Sequence, residues 1–293
     1  MRFSKGLLFA LVVCCLPSGA LGDEGAHQHP AGNPEQLGTV HFPVSCSAAV
    51  QKEFDRAVAL LHSFWWSAAT EAFTTIVQTD PDCAMGHWGV AMTRVENPFA
   101  WPPQPKVLQE GWAAIEKAKA AGAKTQRERD YIAAVEALYK DWDRIDHRTR
   151  VLAYEKAMEQ LYRRYPEDTE AAIFYALALN ASALPTDKTY ANQFKATEIL
   201  EKIFVELPNH PGVTHYLIHS YDYPPIAQRG LTAARRYAQI APSAPHALHM
   251  PSHIFTRVGS WQESIQSNRA SAAATKNHYD QLHATDYLAY AYL

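Results

Sequence analysis

The sequence predicts an all-α fold built as an array of stacked helix pairs, and three observations carry that reading. Chemistry repeats at a fixed interval: His215-Tyr-Leu-Ile-His219 is followed 34 residues later by His249-Met-Pro-Ser-His253. Another 34 residues bring His283, with Tyr287 where the second histidine would fall. A spacing of this size marks a recurring supersecondary unit that buries its apolar face on its neighbours. Apolar residues also recur every three or four positions, in segments that close at proline. Finally, no stretch alternates apolar and polar residues over a useful strand length.

The chain has 293 residues, 47 % of them hydrophobic, enough for a large packed core. Its formal net charge is −3 and it has no run of basic residues, which excludes a nucleic-acid footprint. Residues 1–22 read as a secretory signal: Arg2 and Lys5 precede an apolar run over residues 7–16, and Ala20 and Gly22 are small enough for cleavage before Asp23. That run is too short to span a bilayer, and no later stretch is long and apolar enough. The expectation is an exported protein, periplasmic or secreted, with no membrane span after signal removal. Residues 23–45 are polar, rich in Gly and Pro and without period, and are expected to be a flexible tail.

The helical array is expected over residues 46–293. Phe54, Ala57, Val58 and Leu61 form one apolar stripe; Ala69, Phe73 and Ile76 form the next, ended by Asp80-Pro81. Residues 107–121, 126–142 and 148–165 continue the pattern, the first of them entered through the proline-rich residues 96–105. Ala196, Leu200 and Ile203 precede Pro208, and Gly230, Ala234 and Tyr237 precede Pro242. The 42 residues between Pro166 and Pro208 leave room for an enlarged loop at residues 183–187. Cys46 and Cys83 each sit just before a helix pattern, one repeat apart. In an oxidising compartment they are expected to pair as a disulfide. The chain stops at Leu293 partway through a repeat, so further chain is expected to cover the last helix.

A small residue, a bulky one four later, another three later and a proline five on resembles the second half of a tetratricopeptide (TPR) repeat. Ala69, Phe73, Ile76 and Pro81 fit that spacing, as do Ala196, Leu200, Ile203 and Pro208. The resemblance covers about residues 47–293. The segments His-Tyr-Leu-Ile-His-Ser-Tyr-Asp and His-Ala-Leu-His-Met-Pro-Ser-His-Ile-Phe are also similar to segments of a group of exported bacterial proteins. The TPR resemblance implies a TPR-like helix–turn–helix solenoid wound as a right-handed superhelix. It also implies that His215, His249 and His283, at fifth repeat positions, and His219 and His253, at ninth, face a concave groove that can take a protein or peptide partner.

Eight of the fourteen histidines lie at or after His210. Histidines four apart share a helix face and can chelate one ion, and imidazole suits Zn, Cu, Fe and Ni. Asp222 falls on the stripe of His215, and Asp286 lies one turn from His283. The candidate metal ligands are therefore His215, His219, His249, His253, His283, Asp222 and Asp286, for a transition metal such as Zn, Cu or Fe. His246 is placed as a further ligand or a donor behind the ligands, and His62, beside Trp65 and Trp66, as a packed structural residue. Pro251 interrupts the second pair, so the helix there either kinks or starts late. No G-x-S-x-G, H-E-x-x-H or glycine-rich phosphate loop is present. Catalysis stays open, as does the choice among a metal site, a hydrogen-bonded layer of histidines and tyrosines, and a metal-free scaffold.

Overall fold

Most helices begin at a side-chain cap or a first-turn proline. In the computed structural model, which describes residues 34–99 and 102–293, fourteen α-helices follow one another with no strand among the described residues. They are α1 (Gln51–His62), α2 (Trp66–Thr79), α3 (Ala84–Thr93), α4 (Pro105–Ala121), α5 (Gln126–Tyr139), α6 (His147–Arg164) and α7 (Thr169–Ser182). Then come α8 (Ala191–Glu206), α9 (Pro211–Tyr221), α10 (Leu231–Ile240), α11 (Pro245–His249), α12 (Pro251–Arg257), α13 (Trp261–Ala274) and α14 (His278–Tyr292). Pro105, Pro211, Pro245 and Pro251 occupy first-turn positions, where a missing N–H costs nothing. Asp146 and Asp168 cap α6 and α7 through their carboxylates. The signal segment expected over residues 1–22, and the tail as far as residue 33, lie outside the described residues. No described helix is long and apolar enough to cross a membrane.

Each helix packs on the next, as helix–turn–helix units stacked in sequence, and the fold is an all-α helical solenoid. Contacts between α1 and α3, α3 and α5, α7 and α9, and α9 and α12 set these helices on the inner face. Their partners α2, α4, α6, α8, α10 and α13 form the outer layer. Every residue of α7 from Glu170 to Asn180 is buried, and in α9 only His219 is partly exposed. A helix apolar all round is one covered on every side. What covers α9 is the start of the chain: α1 packs directly on it, across more than 150 residues of sequence. The expected open groove is therefore filled at this point. Gly212 makes that approach possible, because a Cβ there would lie 2.6 Å from His62 Nδ1.

The described part of the N-terminal stretch departs from the expected flexible tail. Phe42 is fully buried, edge-on to Phe54 and Trp88. Thr39 N donates to Asn209 O at 3.0 Å, and Gln36 N to Ser243 Oγ at 2.8 Å. Residues 34–44 thus strap together the turns that precede α9 and α11. Periodicity cannot report this, because an extended strap has none.

Cys46 and Cys83 lie at disulfide distance, with sulfurs 2.05 Å apart, joining the chain before α1 to the N-cap of α3. In the chain-entropy account a closed loop of this length contributes about 4 kcal/mol. Cys46→Ser/Cys83→Ser is accordingly expected to lower the urea midpoint by that equivalent. A non-reducing thiol assay that finds both sulfhydryls free in the native protein would remove the basis of this expectation.

Candidate metal centre

Three inner segments carry the histidines: α9, the α11–α12 pair and α14. His215 and His219 stand one turn apart on α9. His215 donates from Nδ1 to the carbonyl oxygen of His62 at 2.6 Å, which leaves the lone pair on Nε2. That Nε2 lies 3.1 Å from Nε2 of His219. His246, in the first turn of α11, brings its ring centroid to 5.0 Å from that of His215. Its Nε2 is buried without a hydrogen-bond partner. The ligand nitrogens of His215, His219 and His246 all lie within 4.8 Å of one another. Phe64 packs on His215 and His246, and Phe99 on His219, so aromatic rings cover this triad.

His249, His253 and His283 form a second triad of the same kind. Pro251 does not spoil the pair, because Met250 keeps right-handed helical dihedrals between α11 and α12. The turn tightens there, with His253 N donating to Met250 O at 3.1 Å. His249 donates from Nδ1 to Asn268 Oδ1 at 2.6 Å, and Asn268 is held in that orientation by its own Nδ2 donating to Ser264 O. His253 donates from Nδ1 to Asp222 Oδ2 at 2.7 Å. With both Nδ1 atoms donating, the two Nε2 atoms face each other at 3.0 Å. Two lone pairs at that separation repel unless a proton or a cation lies between them. Burial, reinforced by His253 and His283, pushes the pKa of His249 well below the ordinary value, which disfavours a proton on that ring. A cation held between them would relieve that contact, and imidazoles held through Nδ1 by a carboxylate or amide are the usual arrangement for metal-bound histidine.

Burial likewise lowers the pKa of His215, to about 3, and that of His219, His246 and His283. These four rings are thus neutral near pH 7, each with a nitrogen lone pair that could serve a cation.

The two carboxylates sit differently from the expected ligand set. Asp222 lies behind His253, where it also accepts from Arg257 Nε at 2.9 Å. Burial works against its charge, but His253 and Arg257 outweigh it and hold its pKa down. Asp286 is exposed on the wall of a cleft of about 530 Å³ that His253 and Tyr287 also line. Neither carboxylate belongs to a triad. Sequence position alone could not reveal Asn268 or the His62 carbonyl, since no local pattern links them to the histidines they hold.

His62 belongs to a separate buried cluster. Its Nε2 donates to Glu170 Oε2 at 2.8 Å, and its Nδ1 accepts from Tyr216 Oη at 2.9 Å. His210 Nε2 donates to Glu170 Oε1 at 2.9 Å. These bonds satisfy both oxygens of the carboxylate and fix the turn whose carbonyl holds His215.

No family model matches this chain, and no curated protein matches it. Among solved structures it is similar to a chain in the "Structure of Naa15/Naa10 bound to HypK-THB", with 12 % identity and a TM-score of 0.38. The match covers 83 % of this chain and 33 % of that one, so the chain spans about a third of the length of that relative. A likeness at this score carries no argument about function.

Proposed function

We propose that this is an exported helical-repeat protein that binds a transition metal through the imidazoles of α9, α11–α12 and α14. The observation that carries the reading is the 3.0 Å approach of His249 Nε2 and His253 Nε2, with both Nδ1 atoms committed as donors. Supporting it, the six imidazoles are held from behind by Asn268, Asp222 and the His62 carbonyl, or clustered with rings so held. Neutral nitrogen donors favour Cu, Zn, Fe or Ni over Mg or Ca. Export is supported by the signal-like residues 1–22 and by the Cys46–Cys83 pair at disulfide distance.

The test is elemental analysis of the mature protein beside His249→Ala/His253→Ala, with far-UV circular dichroism to confirm that both are helical. At least one equivalent of Zn, Cu or Fe is expected in the parent protein, and a loss of most of it in the variant. No metal in the parent, even after dialysis against each ion, would overturn the reading.

A further inference from the structure

The two triads are not two remote sites. His219 and His253 face each other with ring centroids 6.1 Å apart, and His246 and His249 with centroids 5.9 Å apart. Inside the triads the corresponding spacings run from 4.4 Å for His249 and His283 to 6.3 Å for His253 and His283. The step between triads is thus no longer than a step within one. The backbone accounts for it: His246 and His249 are one turn apart on α11, yet the first leans toward the triad of α9 and the second toward that of α14.

We propose that the six imidazoles form one dinuclear centre, with one ion on His215, His219 and His246 and a second on His249, His253 and His283, bridged by a small oxygen anion such as hydroxide. This rests on the metal-binding reading above and adds the second ion and the bridge. Two observations point to the second ion independently of the first. The buried, unpartnered Nε2 of His246 belongs to the α9 triad, and so does the Nε2 lone pair that the His62 carbonyl imposes on His215. A donor set of three leaves each ion an open coordination position.

Charge identifies what fills it. Neither triad contains a carboxylate, and imidazole donors bring no negative charge to offset two divalent ions. Asp222 behind His253 supplies one negative charge, already shared with Arg257. Uncompensated charge in a buried site is costly, so an anion must enter. A metal-bound water that loses its proton supplies one, since coordination brings its pKa from about 15.7 toward 7. The bond to that proton breaks, the electron pair stays on oxygen as hydroxide, and the proton leaves to solvent. The oxygen then bonds both ions, with no change of oxidation state.

Copper is the probe that separates the outcomes. The metal-free full-length mature protein is titrated with Cu(II) by equilibrium dialysis, and bound copper is compared with the integrated electron paramagnetic resonance signal. About two equivalents are expected, with an integrated signal far below that of two independent ions, because a shared oxygen couples the two spins. His219→Ala/His246→Ala is expected to bind about one equivalent and to give its full single-ion signal. One equivalent in the parent protein would overturn the dinuclear centre and leave the metal-binding reading standing. Two equivalents with a full signal from both would overturn the bridge. No copper at all would remove the metal-binding reading itself. If the variant proves unfolded by circular dichroism, the stoichiometry and spin count of the parent protein decide the matter.

Discussion

Stripped of metal, the protein should lose several kcal/mol of stability between pH 7.5 and pH 5. His215 is the clearest contributor. Burial lowers its folded-state pKa to about 3, against the opposing hydrogen bond to the His62 carbonyl. In the unfolded chain an imidazole titrates near 6.5. Its contribution is therefore complete above about pH 6.5, and it is lost progressively as pH falls toward 3, because the unfolded chain takes up the proton that the folded site refuses. By pH 5 that amounts to about 2 kcal/mol for this one group. His219, His246 and His249 are shifted the same way, each by burial first and by neighbouring imidazoles next. Against a total stability of roughly 5–15 kcal/mol the combined loss is large. Urea denaturation at the two pH values, with chelator present, measures it directly. A midpoint that does not move over that interval would show that these rings are already protonated or already exposed. Bound metal should shift the transition to lower pH, since the ion occupies the nitrogens that protons would otherwise take.

Glu170→Leu is expected to cost about 3–5 kcal/mol, the range for removing one partner from a buried charged network. Glu170 is 3 % exposed, so the loss cannot be made good by water. Burial disfavours its charged form, but His62 and His210 outweigh that effect and hold its pKa below the ordinary carboxylate value. The carboxylate is thus ionised in the folded protein. Its contribution is present above the unfolded value near 4.3 and is lost as pH falls further. In the variant, two buried imidazole N–H groups lose their acceptor. The effect should also reach the metal centre, because the His62 turn presents the carbonyl that orients His215. A urea midpoint shift worth less than about 1 kcal/mol would show that the cluster has found other partners. Lys202→Ala, on an exposed pair with Glu198, serves as the neutral reference.

Much of this architecture was legible from local pattern. The stripe Phe54, Ala57, Val58 and Leu61 became a buried face of α1, and Ala69, Phe73 and Ile76 that of α2. Residues 107–121 form all but the first two residues of α4, and residues 183–187 fall in the enlarged loop before α8. The pairing of Cys46 with Cys83 was readable because stacked repeats bring equivalent positions together. The histidines were legible as pairs for the same reason, being one turn apart on helices of equal register.

Other features were not legible, because they depend on which distant surfaces meet. The flexible tail was expected from composition, yet Phe42 is buried where α1, α3 and α5 converge. Asp222 shares the helical stripe of His215, yet α9 ends at Tyr221 and the carboxylate turns to support His253 on α12. The helical period, the proline boundaries and the spacing of imidazoles were determined by the sequence itself, since each is set by residues within a turn or two of one another. Only the tertiary structure decided that α1 would close over α9, that Asn268 and the His62 carbonyl would fix the imidazole tautomers, and that His246 would complete the triad of α9. Those outcomes follow from burial and hydrogen bonding between elements that lie from 19 to 154 residues apart in sequence, and no local pattern records them.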